Sequence, residues 1–123
     1  MTKGDCYEAN ANWCMGQLLD GGRKYNRTIR LCHGTVIGAK GSPVEGKEIL
    51  HCWVEVNNDM FFDFSNGKAI GQRIEMIQHR IIKGKTKKYT LNQASKMLLG
   101  TTNYGAWTDE EEERFIGKRI IPE

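Results

Sequence analysis

No long apolar run occurs in the 123 residues, so nothing in the chain reads as a signal or membrane-spanning segment. The start, Met1-Thr2-Lys3-Gly4-Asp5, is polar instead. The expectation is a mature chain that begins at Met1, stays in the cytoplasm and has no membrane partner. Metal-type cysteine spacing is also missing: Cys6, Cys14, Cys32 and Cys52 form no CxxC pair. In strands, the neighbours Cys32-His33 and His51-Cys52 would point to opposite faces, so each pair offers one ligand at most. Neither a metal nor a cofactor is expected, and in a reducing compartment all four thiols should be free. There is no internal repeat, no low-complexity linker and no room for a second domain. A single domain over residues 1–123 can bury roughly two thirds of its unfolded surface.

Charge is uneven. The net of +3 contains two basic runs, Arg23 to Arg30 and Arg80 to Lys88, set against an acidic run, Asp109 to Glu113. Neither basic run is interleaved with regular aromatics, so nucleic acid is a weak candidate partner and a solvated face the plainer reading. The acidic run is a natural partner for one of the basic ones.

Asp5 can cap a first helix whose apolar stripe is Tyr7, Ala11, Cys14 and Leu18, ended by Gly21-Gly22. β-Branched residues from Ile29 to Ile37 read as a strand, and Gly38 to Gly46 as a surface loop. Ile49 to Val56 and Met60 to Ser65 form a hairpin about Asn57-Asn58-Asp59. From Ala69 to Ile82 the isoleucines 70, 74, 77 and 81 repeat at helical spacing, although their branching leaves a strand open toward the end. Thr90 and Gln93 make a capping box for a helix closed by Gly100, and an aromatic loop, Asn103 to Trp107, precedes a charged C-terminal helix or tail. The fold class expected is α+β, with an N-terminal helix packed on a small antiparallel sheet.

Three residues carry the chemistry. Cys6 lies one position after the expected cap, where free N–H groups and the helix dipole favour a thiolate and can hold an oxyanion. His51 opens a strand in which His51, Trp53 and Glu55 share one face and Cys52, Val54 and Val56 share the core face. Asp63 follows twelve positions later. In an antiparallel pair, opposed residues share a face, so a three-residue loop places Asp63 across from Trp53 and diagonal to His51, whereas a two-residue loop sends it to the other side. An acid flanked by Phe62 and Phe64 needs a partner, and an imidazolium supplies one.

A cysteine opening a helix, an H-x-W-x-E strand and an aspartate ending the next strand resemble the core of transglutaminase-like proteins, within the papain-like cysteine hydrolase superfamily. The resemblance spans about the first 67 residues. It implies Cys6 as nucleophile, His51 as general base and acid, and Asp63 as the residue that orients the imidazole. The expected activity is hydrolysis or transfer at an amide, peptide, isopeptide or thioester bond of a protein or peptide-like substrate. The chain departs from the pattern in having Tyr7 beside the cysteine where tryptophan is usual, and the five residues before Cys6 include no glutamine for a papain-type oxyanion hole. Asn10, Trp53 or a loop amide is left as second donor.

Other residues were weighed for the same cleft. His33 either lines it or makes a structural hydrogen bond; its HGT setting resembles ADP-ribosyltransferases over three residues only. Trp53, Tyr104 and Trp107 would roof the pocket or complete a core. His79 is expected to be exposed, and Ser65 and Asn66 to be turn residues, either of which could also orient a neighbour. The combined GDCYEA, HG and HCWVE stretches are also similar to small bacteriophage-encoded proteins. From that follows the alternative: a non-catalytic papain-like binding module, acting on a host protein or on nucleic acid in the bacterial cytoplasm.

Overall fold

The computed structural model describes residues 5–21, 28–66 and 71–117. It contains α1 (Cys6–Gly21), β1 (Ile29–Ile37), β2 (Glu48–Val56), β3 (Met60–Phe62), a 3-10 turn (Phe64–Asn66), β4 (Gln72–Arg73), α2 (Ile74–Ile77), a second 3-10 turn (Gln78–Arg80), β5 (Lys87–Tyr89), α3 (Leu91–Thr101) and α4 (Asp109–Phe115). The five strands form one antiparallel sheet in the order β4-β3-β2-β1-β5. The architecture is α+β. No helix among the described residues is long and apolar enough to cross a membrane.

Local rules explain most of the element starts. Asp5 caps α1, its Oδ1 accepting from the Glu8 amide at 3.1 Å. The hairpin turns through Asn57 and Asn58, both at positive φ (56° and 61°), a geometry asparagine tolerates. Its three-residue loop sets the register Val56↔Met60, Glu55↔Phe61 and Val54↔Phe62. Thr90 and Gln93 form the expected capping box, and Thr108 with Glu111 forms another at α4.

Several expectations need correction. The isoleucine-rich stretch is no long helix: its described part is the two-residue β4, one turn of α2 and a 3-10 turn, after which Ile81 bridges to Val36. Branched side chains and a central bridge to the sheet outweigh the periodicity. Ala69 and Ile70, like Gly22, Gly67 and residues 23–27 of the first basic run, lie outside the described residues. Gly100 does not stop α3, which runs on to Thr101 and caps at Thr102 in a left-handed conformation. Its role is close packing, since a Cβ there would come within 2.3 Å of the Phe115 ring of α4.

Two apolar clusters sandwich the sheet. Leu31, Cys52, Val54 and Tyr89 face α1 and α3, which contribute Ala11, Cys14, Ala94 and Met97. On the reverse, Trp53 packs with Cys32, Val36, Phe61 and Ile81. The strand face read as amphipathic is therefore covered, with Trp53 fully buried and Glu55 almost so. Its polar atoms are paired: Trp53 Nε1 donates to Glu55 Oε2 at 3.0 Å, and Lys88 Nζ to Glu55 Oε1 at 2.8 Å. Gly34 makes room for this ring, because a Cβ there would meet Trp53 at 2.6 Å and the Thr86 hydroxyl at 2.8 Å. Lys87 of the second basic run pairs with Asp109 and Glu112 of the acidic one.

Candidate active site

Helix α1 begins with Cys6, so its first free amides surround the residue carrying the thiol. Cys6 is mostly buried, at 8 % exposure, against Cys52 and Val54 of β2. His51 belongs to the same strand but lies beyond the point where β3 ends. Pairing with β3 stops at Val54↔Phe62, so around His51 the β2 edge has no strand beside it among the described residues. The ring stays near Trp53, with centroids 6.2 Å apart. From this open edge it reaches groups from both sides of the sheet.

The register is the one the three-residue loop implies, but Asp63 has already left the strand. The Phe64 amide turns instead to Asn10 Oδ1 at 3.0 Å, and the chain enters the 3-10 turn. That exit presents the carboxylate at the edge. Asp63 Oδ2 lies 3.0 Å from His51 Nε2. Its other oxygen, Oδ1, accepts from the Ser65 amide at 2.9 Å, the Ser65 hydroxyl at 2.7 Å and Asn10 Nδ2 at 3.1 Å. One oxygen is anchored and the other is offered to the imidazole.

The electrostatics agree with this division. Burial would raise the Asp63 carboxyl, but His51, Ser65 and Asn10 outweigh it and hold the acid well below the usual carboxylate range. Burial likewise disfavours the His51 imidazolium, yet the hydrogen bond to Asp63, with the nearby Cys6 side chain, raises it to about 9. The Cys6 side chain is thus near enough to influence the ring that Asp63 holds. With Nε2 engaged by the carboxylate, Nδ1 is the nitrogen left for the thiol. A sulfur, an imidazole and a carboxylate so linked can move a proton from thiol to ring and return it to a leaving group.

The remaining candidates are placed differently. Asn10 is fully buried and its amide is occupied, Nδ2 donating to the Cys6 carbonyl at 2.8 Å and the Cys52 carbonyl at 3.1 Å as well as to Asp63. It cannot at the same time serve as an oxyanion donor. Trp53, buried on the reverse face, has no surface to offer a substrate. Among the described residues His33 finds no hydrogen-bond partner for either nitrogen, and it is enclosed by Tyr7, Tyr89 and Trp107, with ring centroids 4.9, 5.2 and 4.8 Å away. Trp107 completes the core there, its Nε1 donating to the Asn103 carbonyl, rather than roofing a pocket. Tyr104 is exposed and lines a shallow cleft with Asn12, Leu98 and Leu99.

Of the two readings open for Ser65, turn residue or orienter of a neighbour, its amide and hydroxyl bonds to Asp63 Oδ1 fit the second as well as the first. Sequence reasoning missed the buried Glu112, whose carboxylate takes the Tyr89 hydroxyl and Lys87. A signal for Asn10 did exist: it stands four residues after Cys6, on the same helix face. A polar side chain on a buried stripe demands partners. In comparisons with known proteins, the chain matches no family model, no curated protein and no solved structure.

Proposed function

We propose that the protein is a cysteine-dependent acyl hydrolase or acyltransferase built on a papain-like, transglutaminase-like core. The observation that carries this reading is the His51 ring, held by the Asp63 carboxylate at 3.0 Å, with the Cys6 side chain at a helix start close enough to raise its titration. His51, raised to about 9, already holds the proton that the thiol gives up, and the sulfur attacks the acyl carbon of an amide, peptide, isopeptide or thioester. A tetrahedral oxyanion forms near the first amides of α1. Its collapse breaks the bond to the leaving amine or thiol, which receives the proton from His51 and departs, leaving an acyl thioester on Cys6. Water then gives up a proton to His51 and attacks the thioester; the carboxylic acid leaves and the thiol is restored. An amine in place of water gives transfer, but hydrolysis needs no second substrate to be recruited and is the simpler outcome. A protein or peptide-like chain supplies the acyl group.

Iodoacetamide labelling near pH 6, below the range of about 8.5 in which an ordinary thiol ionises, tests the reading. Peptide mapping is expected to find the label on Cys6 alone. Burial pushes the Cys14 thiol up to about 12 and holds Cys32 and Cys52 well above the ordinary range. In a folded His51→Ala variant the Cys6 rate should fall roughly tenfold or more, since the imidazolium charge that favours the thiolate is gone. Four thiols equally inert in the native protein would remove the enzyme and leave the binding module. Label on Cys6 at an unchanged rate in His51→Ala would show that exposure, not the imidazole, sets its reactivity.

A further inference from the structure

Asn10 is the side chain on which the three segments of the site converge. Its Nδ2 faces three acceptors, the carbonyls of Cys6 and Cys52 and Oδ1 of Asp63, at 2.8, 3.1 and 3.1 Å. Its Oδ1 faces one donor, the amide of Phe64, at 3.0 Å. Because acceptors surround one end and a donor meets the other, the amide has a single satisfying orientation. Two N–H groups serve three acceptors, so one of them is shared. The Cys52 carbonyl lies on the β2 edge that β3 no longer covers, and without Asn10 it would lose this partner. The side chain is fully buried, where each such loss is costly.

We propose that Asn10 is a positioning residue of the site: by tying the first turn of α1 to the strand of His51 and to the Asp63 carboxylate, it holds thiol, ring and acid in register. This rests on the reading of Cys6, His51 and Asp63 as a working triad. Asn10 touches no reacting atom and acts through Asp63 and through the two main-chain carbonyls. Ser65 grips the same carboxylate oxygen from its own turn. Among the described residues, Asn10 links that carboxylate to the helix of the nucleophile. An ordinary buried amide stabilises the fold; this one in addition fixes the separation of three reacting groups, where a displacement near 1 Å can cost about a hundredfold in rate.

The test compares wild type with Asn10→Leu, which keeps much of the volume and removes every hydrogen bond. Two readouts are taken on the folded variant: the titration of the His51 imidazole by NMR and the rate of Cys6 alkylation. The opposing effect fixes the sign. Removing an N–H donor makes the Asp63 carboxylate more basic, which by itself would raise His51, so a fall can come only from lost geometry. The expected result is a His51 midpoint lowered from about 9 by roughly one unit, with Cys6 alkylation slowed roughly tenfold. An unchanged or raised midpoint with unchanged alkylation would overturn the proposal and leave the triad intact. Wild-type alkylation that ignores His51→Ala would instead overturn the triad reading. If Asn10→Leu does not fold, the wild-type Asn10 side-chain amide signals serve. They should move with the His51 titration, and signals flat across it would also overturn the proposal.

Discussion

Asp63→Asn is expected to lower turnover of an activated ester such as p-nitrophenyl acetate by on the order of 10³-fold while leaving the protein folded. The substitution keeps size and shape. Ser65 and Asn10 together present N–H and O–H donors to Oδ1, so the new amide will place its oxygen there and turn its NH₂ toward His51. An NH₂ donates to Nε2 and forces the ring proton onto Nδ1. The nitrogen facing the thiol then carries a proton and cannot accept another. The loss of negative charge also removes the attraction that, against burial, lifts His51 to about 9, so the same variant should titrate nearer the ordinary value of about 6.5. Release of p-nitrophenol reads the first effect and NMR the second. Turnover and titration both unchanged would mean that the carboxylate merely fills the turn.

A large effect on stability is expected at His33. Burial first, and the positive charge of Lys87 second, lower its imidazole to about 3, against about 6.5 in an unfolded chain. Between those values the unfolded state binds a proton that the folded state refuses. Stability therefore falls as pH drops from about 6.5 and stops falling from this cause below about 3, with a full size on the order of 5 kcal/mol. Above about 6.5 the effect vanishes. Tyr7, Tyr89 and Trp107 enclose the ring and offer neither nitrogen a hydrogen bond. His33→Leu should accordingly be close to neutral at pH 7 and should gain on the wild type steadily as the solution is acidified. Urea unfolding of both proteins between about pH 7 and pH 4 checks this, because other acid-titrating groups cancel in the difference. A difference in unfolding free energy that stays constant with pH would show that His33 titrates normally.

The parts of the fold written in short-range chemistry were legible in the sequence. Asp5 before a helical stripe, β-branched residues from Ile29 to Ile37, two asparagines at a turn and the Thr90–Gln93 box each act within a few residues, and each element begins where they place it. The hairpin parity also followed from loop length alone. What did not follow depends on layers. Reading His51, Trp53 and Glu55 as an open face assumes a sheet covered on one side, yet residues 74–88 return beneath it and bury Trp53. Gly100 looks like a helix stop until Phe115 arrives from α4 to occupy its missing Cβ. At the site itself, Cys6, His51 and Asp63 could be chosen by residue type, and the structure sets the last two 3.0 Å apart. The bond from Asn10 to Asp63 was hidden, because it joins residues 53 positions apart and leaves no local pattern, although the place of Asn10 on the buried helix face signalled that it needed partners.

Whether the three side chains act as one unit is tested most directly by a double-mutant cycle on ester turnover, using wild type, His51→Ala, Asp63→Asn and the variant carrying both. If Asp63 works only through the imidazole, removing it from a protein that already lacks His51 changes nothing, so the double variant should match His51→Ala. Losses that multiply, with the double variant slower than His51→Ala by the full factor seen for Asp63→Asn alone, would contradict a relay through these residues.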